Sequence, residues 1–156
     1  MWAVSIAVDD STRVSGLLQV PPAGRVCYVL AHGAGAGMTH AFMAAVADGL
    51  AERNVATLRY QFPYMEQGRK RPDTPQIAQA TVRAAIAGAS RLLPELALVA
   101  GGKSFGGRPD TQRFSRRCSR RTAPQIATFR FRSFLAPSAI TPTVNATWFS
   151  ADPLCS

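Results

Sequence analysis

The stretch "LALVAGGKSFGGRPD", Leu96 to Asp110, decides how the chain is read, because an apolar run ends there in glycines set around Gly102-Lys103-Ser104. Two chemistries use a strand, a glycine-rich turn and a helix: a phosphate cradle and a serine nucleophile. The phosphate loop G-x-x-x-x-G-K-[ST] requires glycine at position 97, and that position is Ala97, inside the apolar run. The alternative, G-x-S-x-G, is met by Gly102, Lys103, Ser104, Phe105 and Gly106. A serine on a strained, close-packed turn needs small neighbours, and Gly101 and Gly107 add further room. Ser104 is the candidate nucleophile.

Upstream, residues 2–8 and 13–20 read as an opening hairpin with Asp9, Asp10 and Ser11 at its turn. "RVCYVLA", residues 25–31, is a nearly continuous apolar run of the kind buried on both faces of a parallel sheet, and it feeds the loop "HGAGAGMTH". Residues 41–53 carry a helical stripe of Phe42, Ala45, Val46 and Leu50, ended by Asn54. "VATLRYQFP" supplies the next strand, stopped by Pro63, and residues 65–74 form a charged loop. Thr74 as N-cap and Pro75 at the first helical position open a helix whose expected inward face is Ile77, Val82, Ala85, Ile86 and Leu92. Strands alternating with helices predict an α/β domain, a mostly parallel sheet with helices on both sides.

Both glycine loops follow a buried strand, so both belong at the carboxyl edge of that sheet, where such folds bind ligands. The loop Gly33–Gly37 is no dinucleotide fingerprint, since Met38 and His40 stand where G-x-G-x-x-G needs glycine. No cofactor is expected. The amides of Phe105 and Ala34 are the candidate oxyanion hole, each donor contributing roughly 3 kcal/mol in the transition state. His32 opens the first loop and is expected to hydrogen-bond it into shape rather than serve as base. His40 is expected to be solvated or capping, and Lys103 to be a surface lysine.

A chain of 156 residues with 47% hydrophobic residues fits one globular domain. "MWAVSIAVDD" lacks the basic start of a signal peptide, and no apolar stretch approaches the roughly 20 residues of a membrane span. Cys27, Cys118 and Cys155 make neither a disulfide framework nor a metal cluster, and Cys27 reads as a buried inert thiol. A cytoplasmic location follows. The net charge of +9 is uneven: residues 1–107 hold ten basic and seven acidic residues, whereas 108–156 hold eight arginines, no lysine, and only Asp110 and Asp152. Arginines interleaved with Phe114, Phe129, Phe131 and Phe134 are a possible grip on nucleic acid, but no binding motif accompanies them.

"HGAGAGMTHAFM", "LRYQFPYM", "RPD" at 71–73 and "GGKSFGGR" resemble, in one order, a branch of the α/β-hydrolase superfamily. Its members are mostly uncharacterised bacterial hydrolases similar to dienelactone hydrolases, with a subunit of an animal chromatin-modifying complex as a distant relative. The resemblance covers residues 1 to about 108. It implies Ser104 as nucleophile, Gly33–Gly37 as part of the oxyanion hole, a small ester, lactone or thioester as substrate, and an acid and a base downstream. No histidine follows Ser104, Asp110 lies too close to the turn to be the acid, and Asp152 stands in an unrelated context.

Residues 1–107 are thus expected to be the amino-terminal part of an α/β-hydrolase domain, and 108–156 an irregular Arg/Ser/Pro-rich tail outside the native fold. Two functions follow: a serine hydrolase left incomplete and inactive, or a non-catalytic binding or scaffold module. The change at Arg108 is abrupt. With GC-rich codons assumed for Arg113–Arg121, reading one base later turns that run into an alanine-rich helix former, the element due behind a nucleophile. A shifted reading frame is the expectation, and a divergent or disordered tail its rival.

Overall fold

The computed structural model describes residues 1–103, and beyond them the backbone ladders at 128–130 and 145–149. Strands β1 (Trp2–Ala7) and β2 (Arg13–Gln19) form the opening hairpin. Its turn is tied by Asp9, whose Oδ1 accepts from the Ser11 amide at 2.9 Å and the Thr12 amide at 2.7 Å. β3 (Val26–Ala31), α1 (Ala41–Ala51), β4 (Val55–Tyr60), α2 (Pro63–Glu66), α3 (Pro75–Leu92) and β5 (Ala97–Gly102) follow. The sheet order is β1-β2-β4-β3-β5, extended by β7 (Asn145–Phe149) and β6 (Thr128–Arg130). β4-β3-β5 is the parallel centre, and every other ladder is antiparallel. The last two ladders fall inside 108–156. Otherwise the expectation that this segment stands outside the fold concerns residues that are not described, as does the arginine-rich surface.

α1 and α3 cover opposite faces of the sheet. Met43 on α1 packs with Tyr28, Leu30 and Val99, while α3 closes the larger core around Val14, Val29, Leu58 and Leu98. The fully buried run in β3 and β4 is the pattern that two covered faces impose. Cys27, paired in register with Ala56 and Leu98, lies in that core, and burial pushes its thiol up to about 12. It is a free, buried cysteine, as expected. Among the described residues no helix is long and apolar enough to cross a membrane.

Three sequence expectations need correction. On α3 the buried face is Ala78, Thr81, Val82, Ala85, Gly88 and Ala89, while Ile77 and Leu92 are exposed. Small side chains let the helix lie close to the sheet, and a Cβ on Gly88 would already stand 3.9 Å from the Ile6 side chain. On α1 the buried positions are Met43 and Ala47, with Phe42, Val46 and Leu50 half-buried and Ala45 exposed. Pro63 does more than stop β4: it is the first residue of α2, where its missing N–H costs nothing, so the supposed loop begins with a helical turn.

Candidate active site

β3 and β5 are parallel neighbours, and their last residues, Ala31 and Gly102, are partners in the ladder. β3 and β5 therefore end side by side at the carboxyl edge of the sheet. They are packed too closely there for a side chain at 102, since a Cβ on Gly102 would sit 2.6 Å from the Ala31 carbonyl oxygen and 2.7 Å from its Cβ. The next amide, Lys103 N–H, donates to the same carbonyl at 3.1 Å. This fixes where the chain turns out of β5. Ser104 and Phe105 follow it in sequence and lie outside the described residues.

The loop after β3 is held from several sides. His32 is fully buried; its Nδ1 lies 2.8 Å from the Gly33 carbonyl and its Nε2 accepts from the Phe62 amide at 3.2 Å. A backbone donor at Nε2 assigns the proton to Nδ1. Burial lowers the imidazole pKa, the Gly33 carbonyl opposing, and the rings of Phe62 at 5.0 Å and Tyr64 at 6.1 Å enclose it. His32 is a neutral scaffold residue with both nitrogens in use. Ala34 is exposed on the turn that follows, closed by the Ala36 amide on the Gly33 carbonyl at 3.4 Å with Gly35 at φ 80°. Among the described residues the Ala34 amide donates to no acceptor.

The far end of the loop is gripped by residues leaving β4. Gln61 Oε1 accepts the Met38 amide at 2.9 Å, and the buried Arg59 donates through Nη1 to the Met38 carbonyl at 3.4 Å. His40, expected to be solvated or capping, caps α1, its Nδ1 accepting from the Phe42 amide at 3.1 Å. Lys103, expected to be a plain surface lysine, is half-buried with Nζ 4.2 Å from the Phe42 ring centroid. Among the described residues no group of three His, Cys, Asp or Glu side chains could hold a metal ion.

Behind this layer Asp73, with a fully buried carboxylate, accepts the Tyr64 amide at 2.9 Å and pairs with Arg69 at 2.8 Å. It thereby caps α2 from outside and fastens the 67–73 loop. Sequence reasoning missed Gln61, Phe62 and Asp73 as supports. One signal was present in the period-2 alternation of Tyr60, Phe62 and Tyr64, which form a buried aromatic row beside His32.

A parallel centre with a glycine-rich loop leaving the carboxyl end of β3 fits an α/β-hydrolase type of domain. The alpha/beta hydrolase domain family matches residues 24–129, past the change of composition at Arg108, and the chain belongs to that family. Among solved structures the chain is similar to dienelactone hydrolase from Anabaena variabilis, with 22% identity over 68% of this chain and 52% of that one, at TM-score 0.59. It is also similar to Est1E from Butyrivibrio proteoclasticus (21% identity, 67% and 41% of the two chains, TM-score 0.55). A third is an α/β serine hydrolase without lid from Xanthomonas campestris (19%, 67% and 51%, TM-score 0.56). At these identities the likeness shows the fold, and the chain spans about half the length of these structures. No curated protein sequence matches.

Proposed function

We propose that the chain is a cytoplasmic serine hydrolase domain for a small ester, lactone or thioester, with Ser104 as nucleophile. The observation that carries this reading is the contact of Gly102 with Ala31, which sets the exits of β3 and β5 beside each other. In the proposed reaction Ser104 Oγ attacks the acyl carbon, the amides of Ala34 and Phe105 receive the oxyanion, and a base takes the hydroxyl proton. The intermediate collapses with cleavage of the substrate's C–O or C–S bond, and the alcohol or thiol leaves with that proton. Water then cleaves the acyl-serine ester, giving the free acid and restoring the Ser104 hydroxyl. The base is missing from these 156 residues: His32 has both nitrogens engaged, His40 caps α1, and there is no third histidine. Turnover by this chain is therefore expected to stay near background, with a residue of oxyanion-hole catalysis.

The same shortage favours a second reading, a non-catalytic binding module on the hydrolase scaffold. Treatment with a fluorophosphonate followed by peptide mass mapping separates the two. Slow modification at Ser104, lost in Ser104→Ala, supports the hydrolase, and a folded sample left unmodified supports the module. Fast p-nitrophenyl acetate turnover that Ser104→Ala abolishes would overturn the missing base.

The arginine-rich run after Arg108 is proposed to be a shifted-frame stretch of a hydrolase gene. Sequencing across codons 100–130, which hold both the composition change and the end of the family match, tests this. An open frame one base over that encodes a small-residue helix is expected. Stop codons in that frame would overturn it.

A further inference from the structure

We propose that Gln61 is a positioning residue: its side-chain amide sets the Gly33–Met38 loop for oxyanion binding, and Gly37 lacks a side chain so that this amide can lie against it. The inference rests on the hydrolase reading of the loop. Gln61 stands one residue past the end of β4 with its backbone amide on the Ser15 carbonyl at 2.9 Å, so its own position is set by the sheet. Its Oε1 takes the Met38 amide at 2.9 Å. A Cβ on Gly37 would lie 3.1 Å from both Nε2 and Oε1, so the amide would have to give by a few tenths of an ångström. The amide thus lies close against Gly37 while it accepts the Met38 N–H.

The geometry matters because the loop has two attachments to β4 on either side of Ala34. Phe62 N–H on His32 Nε2 holds the entry, and Gln61 on Met38 holds the exit. Arg59 adds a longer contact to the Met38 carbonyl at 3.4 Å, and its reach is shared with Met1 Sδ at 3.2 Å. Oxyanion donors act only where they are held to within roughly 0.5 Å of the productive position. With the exit released, the turn at Ala34 keeps its hydrogen bond from Ala36 to Gly33 but loses its second anchor.

The test uses the full chain and four variants: Gln61→Met, Gln61→Glu, Gly37→Ala, and Gln61→Met combined with Gly37→Ala. The rate of fluorophosphonate modification at Ser104 and the urea midpoint are read for each. Methionine keeps the length of the side chain without the acceptor, and ionised glutamate at pH 8 restores an acceptor. Gln61→Met and Gly37→Ala are each expected to slow modification at least roughly tenfold with little change in midpoint. Gln61→Glu should recover to within a few-fold of wild type, and the double variant should be no slower than the slower single one, because both changes break one contact. Modification of Gln61→Met at the wild-type rate, no recovery in Gln61→Glu, or multiplying effects in the double variant would overturn the proposal. If wild type itself is unmodified, the nucleophile reading fails and amide exchange at Ala34–Met38 judges the clamp. Faster exchange in both single variants without further gain in the double supports it, and unchanged exchange overturns it.

Discussion

Alanine at position 102 is expected to destabilise the domain by about 3 kcal/mol or more, the upper range for forcing atoms into a packed interior. The added methyl would meet the Ala31 carbonyl oxygen at 2.6 Å, and the obstacle is backbone, held in the ladder with β5 and by the Lys103 amide at 3.1 Å. No rotamer change can relieve it, so β3 and β5 must separate at the edge where both loops begin. Gly49→Ala is the matched control. Gly49 lies inside α1, and a Cβ there meets nothing closer than Arg53 Nη1 at 3.9 Å. That substitution should stabilise by about 0.5–1 kcal/mol through helix propensity. Urea denaturation of the two variants should shift in opposite directions. A Gly102→Ala midpoint equal to wild type would show that β3 and β5 are not in contact at their ends.

Removing the Asp73 carboxylate is the second large change. Its side chain is fully buried, whereas Arg69 is about half exposed (48%), so the two partners are not equivalent. Asp73→Ala leaves the Tyr64 amide without its acceptor, frees Arg69 and opens a small void, for an expected loss of about 3 kcal/mol. Asp73→Asn keeps an oxygen for the Tyr64 amide and should lose about 1–2 kcal/mol. Arg69→Ala, on the exposed side, should fall between the asparagine variant and wild type. Equal midpoints for Asp73→Ala and wild type would mean that the 67–73 loop is not anchored by this contact. Because Tyr64 stands beside His32, Asp73→Ala should also speed amide exchange in the loop after β3.

The strands were legible because their residues are apolar in unbroken runs between Pro, Gly and Asp, and α3 because Thr74-Pro75 marks its start. Its buried face was not. Spacing arguments favour large apolar residues such as Ile77 and Leu92, whereas close packing on the sheet selects Ala78, Ala85, Gly88 and Ala89. The glycine loop after β3 and the scaffold role of His32 were readable from local pattern. The grip on them was not, since Gln61 meets Met38 across 23 positions and the sequence between gives no sign of the pairing. Ser104 and Phe105 stay with the sequence argument, and Ala34 lies on an exposed turn three residues past the end of β3.

The partnership of Ala31 with Gly102 also governs how the domain comes together in time. The β1–β2 hairpin closes across one short turn, whereas joining the ends of β3 and β5 brings together residues roughly seventy positions apart. Ring closure of that length is slow, and the contacts that reward it are formed only when β5 docks into its slot beside β3. Far-ultraviolet signals from hairpin and helices are thus expected to run ahead of signals that report the joining of β3 and β5. The joined ends of β3 and β5 are therefore expected to form late in folding and to part as soon as β5 lets go.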